Sequence, residues 1–197
     1  NGNHIVYGRR GTGKSSLLAY LLYQLRQKGT PYAWVTMQAY TGRQDSHVIV
    51  DVFLEIVQQL YTHTPGYSSL EPIKRRLDAL AEAKSDPISQ IDRLLPKIRR
   101  AIFPLAEAHN RIVIFLDDLH VIHKDLQPLL LAKLYSICPD NKTFLKISGI
   151  EQFTKNWDAS SHLGLETPHD AQLIRLDYNL TKPDQSKAHI QNILDAH

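Results

Sequence analysis

The chain has 197 residues, 43% of them hydrophobic and 22% charged, an ordinary balance for one globular domain with a buried core. A single cysteine, Cys138, excludes an internal disulfide framework, and with no signal peptide and no apolar run near the roughly 20 residues that cross a bilayer, the expectation is cytoplasmic and without a membrane partner. The formal charge of +3 is mild and scattered; its densest patches, Lys74-Arg75-Arg76 and Lys97 with Arg99-Arg100, lack interleaved aromatics and read as solvated faces before they read as a nucleic-acid contact.

In chain order, residues 4–7 form a short apolar strand, and residues 15–28 place Leu17, Leu18, Leu21, Leu22 and Leu25 at helical spacing, closed by Gly29. The stretch "YAWVTMQA" predicts a second strand. "SHVIVDVFLEIVQQLYTH" predicts a helix capped by Asp45 or Ser46. After a loop rich in Pro, Gly and Ser come two helical stretches carrying the basic patches, the second expected to kink or divide at Pro96 and Pro104. Residues 111–116 are a continuous apolar strand of the kind covered on both faces, followed by Asp117-Asp118. "DLQPLLLAKLYSIC" predicts a helix, "TFLKISGI" and "AQLIRLDY" a fourth and a fifth strand, and "KPDQSKAHIQNIL" a last helix. Trp34 and Trp157 read as packing residues. Strands separated by helices predict an α/β fold with an open, mostly parallel five-stranded sheet and helices on both faces. One domain spanning 1–197 is expected. Because the chain starts at Asn1 and reaches its glycine-rich loop almost at once, it reads as a piece of a longer protein.

Gly8, Gly13, Lys14 and Ser15 fit G-x-x-x-x-G-K-[ST], with a strand before and a helix after, as a phosphate loop requires. Glycines let the backbone N–H groups turn inward, and the helix starting near Lys14 adds its positive end, so a polyphosphate meets ready donors. Lys14 would reach the β- and γ-phosphates and Ser15 would ligate Mg²⁺. Gly11 and Thr12 belong to the same cradle, and Ser16 would touch the α-phosphate. Arg9 and Arg10 either steer the anion or sit in solvent. The second anionic partner is Asp117 at the end of "IVIFLDD", a Walker B strand, expected to hold the metal. Asp118 is either the base that orients the attacking water or a helix N-cap. Ser148, at the end of the fourth strand, either senses the γ-phosphate and the water or satisfies local backbone. His120 and His123 read as helix-start or packing residues rather than metal ligands.

With these motifs in hand the chain resembles the AAA+ class of P-loop ATPases, and among them the origin-recognition and initiator-like proteins, through "YGRRGTGKSSLL", "IFLDDLHVI", "LKISGIEQFT" and "HLGLETPHDAQLIRLDYNL". The resemblance covers nearly all of the chain. It implies a P-loop three-layer sandwich with strand order 5-1-4-3-2, ATP and Mg²⁺ as cofactors, Ser148 in the sensor-1 place, and residues 181–197 as the start of a helical lid. Asp117-Asp118 departs from the usual Asp-Glu and is similar to the STAND group, which implies slow hydrolysis. Between strands four and five the strongest base is Lys155, where an arginine finger would be expected. The resulting expectation is a regulated ATPase switch module, by family analogy in prokaryotic defence, acting with other domains of its own chain and with a homo-oligomer or an effector protein. The alternatives are a DNA-binding initiator or loader, and a nucleotide-dependent scaffold without hydrolysis.

Overall fold

The computed structural model describes residues 2–83, 87–138 and 142–176. Strands β1 (His4–Tyr7), β2 (Tyr32–Thr36), β3 (Ile112–Asp117), β4 (Thr143–Gly149) and β7 (Gln172–Arg175) form one sheet in the order β2-β3-β4-β1-β7, every pair parallel. This is the predicted α/β P-loop fold and its predicted order, with β7 as the fifth strand. Parallel neighbours need crossovers, and the helices that supply them cover both faces.

The two faces are written in alternate residues. Ile112, Ile114 and Leu116 of β3 enter a large core with Ile5, Ala33, Val35, Leu145 and Ile147 and with the buried sides of α2 (Asp45–His63), α3 (Leu70–Ala81), α4 (Ile88–His109) and α5 (Leu126–Ser136). Val113 and Phe115 turn the other way, joining Val6 under Leu18 and Leu25 of α1 (Lys14–Gln27). Both β3 and β4 are buried along their whole length, which is why "IVIFL" shows no polar alternation. On the edge strand β2, the Gln59 side chain accepts the N–H of Trp34 and donates to its carbonyl, both at 2.7 Å, closing off backbone groups that would otherwise invite pairing. Trp34 itself stacks on Phe115 at 5.3 Å, the packing role expected of it.

Several local expectations need correction. β2 stops at Thr36, and Met37–Tyr40 is a 3-10 turn rather than more strand. α2 has Gln44 at its N-cap, without a side-chain bond; Asp45 falls in the first turn, where its charge still complements the helix dipole. α4 is one continuous helix of 22 residues through both Pro96 and Pro104. Each proline costs about 3 kcal/mol in a helix interior, but the flanking turns bury Ile91, Leu94, Ile98, Ile102 and Leu105, and a fully buried large apolar side chain returns about 1.5–3 kcal/mol. α1 ends as expected: Gly29 adopts φ 61°, its N–H donates to the Arg26 carbonyl, and the Thr30 N–H donates to that of Leu25. The last predicted helix lies outside the described residues.

Between β4 and β7 a small antiparallel pair, β5 (Trp157–Asp158) and β6 (Leu163–Gly164), replaces a crossover helix. Gly164 is irreplaceable there: at φ 114°, a β-carbon would stand 2.1 Å from the Asn156 carbonyl oxygen. Gly164→Ala should therefore destabilise the domain by about 2–4 kcal/mol, from the positive φ and the clash together. A urea-unfolding midpoint equal to the parent's would show that the hairpin relaxes freely.

Candidate functional site

Register builds the site. Tyr7 of β1 lies beside Gly149 of β4, and Leu116 of β3 beside Ile147, so β1, β3 and β4 end level and Asp117 arrives next to Ser148. The chain leaving β1 enters the glycine loop at once, and the Gly8 N–H donates to the Gly149 carbonyl at 3.3 Å. A β-carbon at Gly8 would stand 2.3 Å from Thr12 Oγ1. Thr12 closes the loop on itself, donating from its N–H and its hydroxyl to the Arg9 carbonyl at 3.3 and 2.9 Å. Gly11 and Gly13 take φ 83° and 85°, the left-handed region glycine enters without strain. Gly13 is also the N-cap of α1, which carries no side-chain cap and no acidic residue in its first turn. Its leading N–H groups thus stay available, at the positive end of the helix, for an anion. Lys14, only 6% exposed, donates from Nζ to the Arg9 carbonyl at 3.1 Å and so lies along the loop.

A chain of short polar contacts ties the start of α1 to the strand ends. The Ser15 hydroxyl donates to Asp117 Oδ1 at 3.1 Å, and the fully buried Ser148 hydroxyl donates to the same oxygen at 2.5 Å while accepting the Asp118 N–H at 2.8 Å. Ser148 thus bonds local backbone, one of its two expected roles, and also reaches the Asp117 carboxylate. Asp118 has a left-handed backbone, φ 61° and ψ 46°, which sets the 3-10 turn Leu119–Val121 across the strand ends. It occupies the N-cap position of that turn, yet its side chain makes no capping bond.

A pocket of about 320 Å³ lies between the two sides. Arg10, Gly11, Gly13, Lys14, Ser15 and Ser16 line it from the loop, Asp118, His120 and Ile150 from the strand ends, and Gln38 from the turn after β2. Gly8, Arg9, Thr12, Asp117 and Ser148 are not among its lining residues. His120, Gln38 and Ile150 are site residues that the sequence reading missed. For His120 the signal was present, a polar residue two positions after the Walker B carboxylates, but it does not distinguish lining from packing. Burial holds the His120 imidazole below its usual pKa, opposed by Asp118 and reinforced by Lys14 and Arg10. His123 lies apart, exposed and 3.6 Å from Asp45.

The other charged candidates are engaged elsewhere. Lys74 pairs with Asp78 at 3.0 Å and Arg75 with Glu71 at 2.5 Å, each within one turn of α3, so much of that basic patch is offset along its own helix. Lys155 lies within 3.5 Å of Asp125 and 3.6 Å of Asp158. Arg175, at the end of β7, forks onto Glu151 at 2.6 to 3.2 Å.

A parallel sheet whose first strand runs into this loop, with an acidic residue at the end of the facing strand, defines a P-loop NTPase. Residues 1–143 match the AAA ATPase domain family, and the chain belongs to it. No curated protein matches the chain. Among solved structures it is similar to the Walker-type ATPase PABY2304 of Pyrococcus abyssi, with 16% identity, a TM-score of 0.49, and coverage of 88% of this chain and 48% of that one. It is also similar to the Aeropyrum pernix ORC1 protein in complex with DNA, with 17% identity, a TM-score of 0.43, and coverage of 90% and 40%. The chain therefore spans less than half the length of either. The Mg²⁺ that nucleotide sites of this fold use is compatible with the residues present: a hydroxyl and a carboxylate share one hydrogen bond at the start of α1, an oxygen-only pair that waters and phosphate oxygens would complete.

Proposed function

We propose that the domain is an ATP-binding and slowly hydrolysing switch module within a larger protein. The observation that carries this reading is the contact chain Ser15–Asp117–Ser148–Asp118, which ties an uncapped helix start carrying Lys14 to the strand ends beside a pocket. In this reading the N–H groups of the loop and of the first turn of α1 hold the phosphates, Lys14 places its charge on the β- and γ-phosphates, and Arg10 and Ser16 meet the nucleotide at the pocket wall. Ser15 and Asp117 would hold Mg²⁺, which, when bound, neutralises charge on the β- and γ-phosphate oxygens. Asp118 orients the attacking water. As the water oxygen bonds to the γ-phosphorus, the bond to the leaving β-phosphate oxygen breaks and the water proton passes to the carboxylate. Calorimetric titration with ATP, with turnover measured on the same protein, tests the reading. Absence of ATP binding overturns it, and binding without any turnover reduces it to a nucleotide-dependent scaffold.

Ser148 gives this reading a second check. Its hydroxyl joins the two aspartates, and Ser148→Ala removes the acceptor of the Asp118 N–H and one of the two donors to Asp117 Oδ1. The variant should lose about 1–3 kcal/mol of stability and at least about tenfold in turnover through misplacement of both carboxylates, while Ser148→Thr, which keeps the hydroxyl, should restore most of both. Urea unfolding and steady-state turnover of the two variants decide it; equal losses in both would show that volume, not the hydroxyl, matters.

A further inference from the structure

His120 reads in sequence as a packing residue, but its surroundings are those of a reactive site. It is carried on the turn Leu119–Val121, and its ring lines the same pocket as Lys14, Ser15 and Asp118. Its Nδ1 atom is sealed from solvent and has no hydrogen-bond partner among the described residues. Oδ1 of Asp118 stands 3.8 Å from that nitrogen. The gap is too long for a hydrogen bond and short enough to close by a small rotation of either side chain. A buried polar atom without a partner is costly to maintain and calls for an explanation, of which a catalytic role is one.

Asp118 has the complementary need. Its backbone is pinned by the bond from its N–H to Ser148, but its carboxylate is 30% exposed and makes no hydrogen bond to the described residues. A carboxylate that must take a proton from one particular water works only when one oxygen is aimed at that water. A neutral imidazole supplies one N–H, and a carboxylate–imidazole bond is a known physical means of fixing the orientation of both partners.

We propose that His120 is a positioning residue for ATP hydrolysis: with nucleotide in the pocket, its Nδ1–H donates to Oδ1 of Asp118 and turns the other carboxylate oxygen toward the attacking water. The inference rests on the ATPase reading above and adds a residue that reading does not require. It also separates His120 from a nucleotide contact, because the working atom faces a side chain rather than the phosphates.

The test compares the full-length protein with its His120→Ala, His120→Asn and His120→Gln variants, measuring ATP affinity by calorimetry and hydrolysis by single turnover. The asparagine amide nitrogen falls near the position of Nδ1, and the glutamine nitrogen near that of Nε2. All three variants should bind ATP within about threefold of the parent. His120→Ala and His120→Gln should hydrolyse at least about tenfold more slowly, and His120→Asn should recover most of that loss. In the Asp118→Asn background, His120→Ala should add little, since the two act as one unit. Parental turnover in His120→Ala overturns the inference. So does rescue by glutamine instead of asparagine, which would make Nε2 the working atom, or a loss of ATP affinity equal to the loss of rate, which would make His120 a ground-state contact. Lys14→Ala separates the two levels of the argument: a parent without ATP binding or Lys14-dependent turnover removes the proposed function and this inference together, whereas Lys14-dependent turnover indifferent to His120 removes the inference alone.

Discussion

Replacing Lys14 with alanine is expected to weaken ATP binding at least about a hundredfold, roughly 3 kcal/mol, while leaving the fold intact. The reason lies in what the ammonium touches. Lys14 is nearly buried at the first turn of α1, and its Nζ is held by the Arg9 carbonyl, a neutral partner, with no ion pair among the described residues. Against a polyphosphate such a charge forms the stronger, charge-assisted class of hydrogen bond, in a pocket partly shielded from water. The backbone donors of the loop would remain in the variant, because Gly8, Gly11 and Gly13 set their geometry and Thr12 ties the loop to Arg9 independently of Lys14. Residual weak binding is therefore expected rather than none. Calorimetric titration of both proteins, with a thermal melt to establish that the variant is folded, measures the effect. ATP binding of parental strength in a folded variant would place the nucleotide somewhere other than this loop.

What could be read from the chain beforehand divides along a physical line. The loop and the Asp117 strand were legible because each is written locally, as glycines at fixed offsets before a helical repeat and as an apolar run too uniform for a strand exposed on one face, whereas the order of the sheet came only with the family resemblance that these motifs carry. What was not legible depends on register and on tertiary context. That Ser148 bonds both Asp117 and the Asp118 N–H follows from the alignment of β3 with β4, which no pattern along one strand contains. That His120 faces the pocket follows from the left-handed backbone of Asp118, a conformation most non-glycine residues avoid and a sequence does not announce. The continuity of α4 through two prolines reflects burial along its length outweighing a local penalty. The β5–β6 pair, two residues on each side, is shorter than any periodicity can register.

The two aspartates should separate in their effects, and that separation is the most demanding consequence of the proposed site. Asp117 is nearly buried and receives hydrogen bonds from Ser15 and Ser148 on one oxygen, so its carboxylate is fixed beside the start of α1. Asp117→Asn should damage Mg²⁺-dependent ATP binding and turnover together, because the amide removes the anion a dication needs even though its carbonyl oxygen can still accept from the two hydroxyls. Asp118→Asn changes neither the backbone N–H that Ser148 holds nor the shape of the side chain, and should leave ATP affinity within about threefold of the parent. Its turnover should fall about a hundredfold, the scale of losing a general base. The parent should itself be slow, well below the roughly 1–100 s⁻¹ of kinases: an aspartate reaches one methylene less far than a glutamate, and Lys155 and Arg175, the lysine and arginine beyond β4 among the described residues, are paired with Asp125, Asp158 and Glu151. Single-turnover rates and ATP titrations of the parent and the two variants measure each of these claims separately. Undiminished turnover in Asp118→Asn would remove that residue from the chemistry, parental Mg²⁺-dependent binding in Asp117→Asn would remove the metal from its carboxylate, and fast turnover in the parent would show that the domain needs no partner to complete its site.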